Sequence, residues 1–145
     1  MGAANANVRV SPSRIDTGDR TQVRIEVSEV HPDGVFLKVR VPKALSYVLN
    51  SAVLDLDGQT VDIGPKKNVT KDTYNYIVFI FTQDDFGSDN RGTVEFQLVG
   101  NSAIEDGLVE VDADVNDPLV NDNNEFNVDS PEFGAESDAS IEVTQ

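Results

Sequence analysis

The segment Val35-Phe36-Leu37-Lys38-Val39-Arg40-Val41 sets Val, Leu, Val and Val on alternate residues, with Phe, Lys and Arg between them. Side chains of an extended strand point to opposite faces in turn, so this period of two makes one apolar face and one mixed face. A helix needs its apolar residues three and four apart instead. The same period returns at Val23, Ile25 and Val27, and at Val94, Phe96 and Leu98. It returns again at Val109, Val111, Ala113 and Val115, where Glu110, Asp112 and Asp114 fill the alternate places. Tyr74–Phe81 (YNYIVFIF) is apolar at nearly every position and reads as a central strand covered on both faces. Shorter strand candidates lie at residues 8–10, 45–49, 53–56, 60–63, 125–128 and 140–143.

Turn chemistry separates these runs. Asp16-Thr17-Gly18-Asp19, His31-Pro32-Asp33-Gly34, Asp57-Gly58, residues 85–92 (DFGSDNRG) and Glu105-Asp106-Gly107 all carry the residues that tolerate sharp backbone reversal. No stretch shows a long 3.6-residue period with caps. The pattern predicts an all-β chain, an immunoglobulin-like β-sandwich of roughly 9–11 strands. Residues 1–7 read as a disordered tail and residues 8–145 as one domain.

Charge is distributed unevenly. The 145 residues carry 26 acids and 11 bases, a formal net charge of −15. Residues 1–91 hold 12 acids and 11 bases, whereas residues 92–145 hold 14 acids and no Lys or Arg. Nucleic-acid binding through a basic patch is disfavoured, because phosphate contacts need Lys and Arg. An anionic membrane surface is disfavoured for the same reason, and no apolar run approaches the ~20 residues of a membrane helix. The first seven residues lack the basic and apolar segments of a signal peptide. With no Cys, disulfides, thiol catalysis and Cys-bound metals are excluded. Salt adaptation would spread acids over the whole surface, so the near-neutral first 91 residues argue for a local acidic face.

Residues 41–52 (VPKALSYVLNSA), followed by Asp57-Gly58, resemble a stretch of the prokaryotic conserved-repeat family, a domain of unknown function on microbial surface proteins. Asp114-Val115-Asn116-Asp117-Pro118 and residues 123–128 (NNEFNV) resemble that family's ending. The resemblance implies an immunoglobulin-like sandwich used as a repeated spacer or adhesive unit, and it carries no catalytic residues. Gly18-Asp19 before an alternating strand is also similar to cohesin-like scaffold modules.

Catalytic motifs are scarce. His31 is the only His and sits in a turn. No nucleophile elbow, phosphate loop or dinucleotide fingerprint is present. Carboxylates are plentiful, but glycosidase chemistry needs an opposed pair across a cleft, and Trp, the usual sugar platform, is absent. An enzyme is therefore not expected. An internal Lys–Asn cross-link needs a buried Lys beside an Asn and an acid. Lys38 and Asn127 are the pair on offer, but alternation puts Lys38 on the polar face. Asn68-Val69-Thr70 has the form of a glycosylation sequon.

The acidic strand is the best site candidate. Glu110, Asp112 and Asp114 share a face at ~7 Å spacing, too far apart for a flat strand to wrap one ion whose bonds are ~2.3–2.6 Å. A loop folding back must supply further oxygens. Asp112, Asp114, Asn116, Asp117, Asp122 and Asn124 form the expected calcium set; the plain alternative is a solvated loop of Asx turns. The chain is expected to be a non-enzymatic spacer or adhesion module of a larger exported protein, extracellular or at the cell surface. Its partners would be neighbouring domains of the same chain or another surface protein. The alternative is a specific binding module, cohesin-like or carbohydrate-binding. An exposed aromatic row would mark it, with Phe36 the residue to watch.

Overall fold

The computed structural model describes residues 4–115 and 133–145. Twelve strands lie within them: β1 (Asn5–Ser11), β2 (Arg14–Asp16), β3 (Arg20–Ser28), β4 (Val35–Pro42), β5 (Leu45–Tyr47), β6 (Val53–Leu56), β7 (Gln59–Asp62), β8 (Lys67–Lys71), β9 (Tyr74–Phe81), β10 (Gly92–Gly100), β11 (Ile104–Val115) and β12 (Ser137–Thr144). They form two sheets, ordered β1-β3-β10-β6-β7 with β5 also on β10, and β2-β12-β11-β4-β9-β8. The architecture is the expected all-β, immunoglobulin-like sandwich.

The alternating residues meet between the sheets. Val23, Ile25, Val94, Phe96 and Leu98 of one sheet face Leu37, Val39, Ile77, Phe79, Val109 and Val111 of the other, all essentially inaccessible. Phe96 packs on Tyr47 and Phe79, with ring centroids 5.8 and 5.6 Å apart. Each such ring contributes about 1.5–3 kcal/mol through burial. A short 3-10 turn (Gln83–Phe86) adds Phe86 as a plug, 5.1 Å from the Phe81 ring.

Several local readings change. Asn5, Ala6 and Asn7, expected in the tail, pair with Ser28, Val27 and Glu26 of β3. Glu105-Asp106-Gly107, expected as a turn, is an irregularity inside the long β11, where the register against β12 shifts. Asp106 takes a φ of 56°, which lets the strand absorb its extra residues as a bulge. Asp57-Gly58 is the expected tight hairpin: Leu56 pairs with Gln59, and both turn residues have positive φ. The candidate strand at 125–128 lies outside the described residues.

Ser11 ends β1 in the first sheet and Arg14 begins β2 in the second, so the chain's first strands touch both layers. Asn5 pairs with Ser28, beside Gly92 at one end of the sandwich. At the other end, the Thr17 amide donates to the Thr144 carbonyl at 2.7 Å, and Gly18 donates to Gly100 at 2.9 Å. The first strand thus begins at one end of the sandwich and the last strand finishes at the opposite one. The nine residues of β10 set that separation at roughly 27 Å.

Candidate functional site

The site lies on the outward face of the second sheet, where β4 and β11 run antiparallel. Register places Glu110 opposite Arg40, Asp112 opposite Lys38 and Asp114 opposite Phe36. The acidic alternation of β11 is therefore answered by the basic alternation of β4. Directly opposed charges on one sheet face lie close enough to pair.

Arg40 makes a two-pronged contact with Glu110, Nε to Oε1 and Nη2 to Oε2, both at 3.0 Å. The guanidinium lies over two rings, 4.6 Å from the Tyr74 centroid and 4.4 Å from that of Phe133. Phe133 also meets Tyr76 edge-on at 6.2 Å. Hydrogen bonding to Glu110 raises the Arg40 pKa further, so this cation is permanent.

Lys38 is only 5% exposed, as is Asp112. Its Nζ lies 3.3 Å from Asp112 Oδ2 and 2.5 Å from Asp114 Oδ2. Lys38 does project from the outward face, as alternation requires, but that face is covered rather than open to water. Phe36 is covered as well, at 4% exposure, and so is not part of an exposed aromatic row. The large hydrophobics left exposed among the described residues, Leu49, Val61 and Leu108, include no aromatic.

Residues 133–136 cross this face before β12. The Gly134 amide donates to Asp112 Oδ2 at 2.9 Å, and the Glu136 amide donates to the Val111 carbonyl at 2.8 Å. Glu136 thereby joins Asp112 and Asp114, and one oxygen from each lies within 4.8 Å of the others. The three could hold a metal ion. Burial pushes the Asp112 pKa up against the opposing pull of Gly134 and Lys38. Burial also raises Glu136, helped by the charges of Asp112 and Asp114.

Of the expected calcium ligands, Asp112 and Asp114 meet here, while Asn116, Asp117, Asp122 and Asn124 lie outside the described residues. Glu110 is diverted to Arg40. The fold-back oxygen among the described residues comes from Glu136, which the sequence reading did not single out. Lys38 and Arg40 were visible as the polar places of β4, but alternation does not say which strand lies beside them. Asn127, the other half of the cross-link pair, lies outside the described residues. His31 stays a turn residue, accepting the Asp33 amide on Nδ1 at 3.0 Å.

No protein-family model matches the chain, and no curated protein matches it. Solved structures match in fold. The T6 backbone pilin of serotype M6 Streptococcus pyogenes, which has a modular three-domain structure, is 13% identical. That match covers 97% of this chain and 36% of the pilin at a TM-score of 0.60. The N-terminal domain of the Streptococcus gordonii adhesin Sgo0707 is 12% identical, covering 75% of this chain and 29% of that one at 0.52. AvmM, which catalyses macrocyclization in alchivemycin A biosynthesis, is 8% identical, covering 100% and 90% at 0.53. The chain spans well under half the length of the pilin and adhesin chains. At these identities the likeness is one of fold. It places the chain among sandwiches that include pilin and adhesin domains, and the conserved-repeat resemblance gains no family match.

Proposed function

We propose that this chain is a non-enzymatic structural module, one unit of a larger exported surface protein, set between neighbouring domains as a rigid spacer. The observation that carries this reading is that β1 begins at one end of the sandwich and β12 finishes at the other. Modules built this way join end to end without doubling back. Further support comes from the fold shared with a pilin described as modular and with an adhesin domain. That likeness also favours a location outside the cell or at its surface. Partners are then adjoining domains or another surface protein. Two copies joined in tandem test the reading by small-angle scattering. The maximum dimension should grow by about one module length per copy, and a compact pair would overturn it.

A second reading concerns calcium. The close approach of Asp112, Asp114 and Glu136 favours it, with Asn116, Asp117, Asp122 and Asn124 as further proposed ligands. The Lys38 ammonium already sits against two of these carboxylates, so calcium would have to displace it. Melting in EDTA and then in millimolar calcium separates the two cases, since a ligand that binds only the folded state raises the midpoint. A calcium-dependent rise supports the ion. No rise leaves Lys38 as the counter-ion.

A further inference from the structure

We infer that the terminal strands form a mechanical clamp, centred on the parallel pairing of β2 with β12, that resists force applied between the two ends of the chain. The biological use of such a clamp rests on the spacer reading; its physics rests on strand geometry alone.

β1 enters at the Ser28 end and runs toward the Gly100 end, and β12 runs the same way, from opposite Val111 to opposite Ile104. β2 pairs with β12 in parallel: Arg14 with Glu142, Ile15 with Val143, Asp16 with Thr144. Tension from outside pulls β1 and β2 back toward the entry end. The same tension draws β12 toward the exit end. The two paired strands are therefore driven to slide past one another along their lengths.

Hydrogen bonds between strands run from one strand to the next, at right angles in an antiparallel pair and on a slant in a parallel one. When strands are peeled from one end, these bonds break one after another. When strands slide, the bonds strain together and must break together, which raises the barrier. Forced unfolding is governed by the unfolding rate, hence by that barrier rather than by equilibrium stability.

The patch is well tied. Glu142 donates its amide to the Ser13 carbonyl at 2.8 Å, and Thr17 donates its amide to the Thr144 carbonyl at 2.7 Å. The Thr17 hydroxyl reaches the same carbonyl at 3.1 Å. Arg14 and Glu142 add an ion pair at 3.8 Å. Behind the pair, Ile15 and Val143 are buried, and a Cβ placed on Gly100 would meet Val143 at 2.9 Å. β1 adds seven residues paired with β3, which must also be sheared.

The turn after β2 permits a selective test. Asp19 donates its amide to the Asp16 carbonyl at 3.0 Å, and Gly18 has a φ of +93°, the signature of a type II turn. Thr17 occupies the second position of that turn, where Pro is favoured. Thr17→Pro should keep the turn and remove both bonds to Thr144.

Single molecules held by handle domains at both ends should unfold in one cooperative peak. Thr17→Pro should lower that peak force with little change in thermal midpoint. Val94→Ala, a core cavity away from the clamp, should lower the midpoint more than the force. A second geometry needs no clamp variant. Pulling between Asn5→Cys and Asp89→Cys, both near the entry end, peels β1 from β3 and should need less force than end-to-end pulling. Equal force in the two geometries, or an unchanged end-to-end force in a folded Thr17→Pro, overturns the clamp. Either result with an extended tandem pair would leave the spacer reading intact, whereas a compact pair would count against that reading alone.

Discussion

Among the described residues, Lys38 is the most buried cation facing the acids of β11. Two cations on β4 face four carboxylates from β11 and the approach to β12, and the most buried contact is that of Lys38 with Asp112. Removing one partner of a buried pair leaves the other charge uncompensated, at about 3–5 kcal/mol. Lys38→Met should therefore lower stability at neutral pH by about 3 kcal/mol, the low end because Asp114 is partly exposed. Denaturant midpoints with an unchanged slope would show it. The sign of the pH dependence follows from the raised pKa values of Asp112 and Glu136. A carboxyl whose folded pKa lies above its unfolded value binds its proton more tightly when folded. Its ionisation cost is fully present above the folded pKa. That cost is relieved as pH falls through the folded pKa toward the unfolded one. Stability should then rise as pH falls from 7 toward the ordinary carboxylate range. Asp112→Asn with Glu136→Gln should flatten that rise, and an unchanged profile would contradict the assignment.

At the scale of elements, β11 is the strand whose irregularities matter. Gly107 follows the Asp106 bulge, and a Cβ there would lie 2.8 Å from the Ile141 carbonyl oxygen, a backbone atom with little room to yield. Gly107→Ala should destabilise by about 1–3 kcal/mol through overpacking. Gly58→Ala should cost less space but strain a left-handed turn, since nothing lies within 4 Å and φ is +90°. Thermal melts of the two variants test the distinction. Alternation from Val35 to Val41 already contained β4, its buried face and its polar face. It could not contain β2, three residues long, or β8, whose Lys67–Lys71 sequence (KNVTK) has one apolar residue in five. Such strands exist because neighbours offer them hydrogen-bond partners. The bulge was equally hidden, because an Asp-Gly pair with Asp106 at positive φ suits a turn as well as a kinked strand.

For the whole molecule, the decisive facts are which strands lie together and where the ends emerge. The acidic third was legible as a charge distribution, but its meaning depended on β11 lying beside β4, separated from it by some seventy residues of sequence as judged by the Arg40–Glu110 pair. Neither Phe36 burial nor the convergence of Glu136 on Asp112 follows from a local pattern. The second needs residues 133–136 to lie across that sheet face, where Phe133 covers Arg40 and Gly134 holds Asp112. The opposite-end exits arise in the same way, from a topology that brings β12 down beside β11 and β2. Native Cys is absent, so labels placed by Asn5→Cys and Gln145→Cys would be unique. The distance between them, measured by pulsed electron resonance, tests the spacer account most directly. A single narrow distribution near 25–30 Å is expected, roughly the rise of β10 combined with the sideways offset between sheets; a short distance, with both labels at one end of the sandwich, would contradict the spacer.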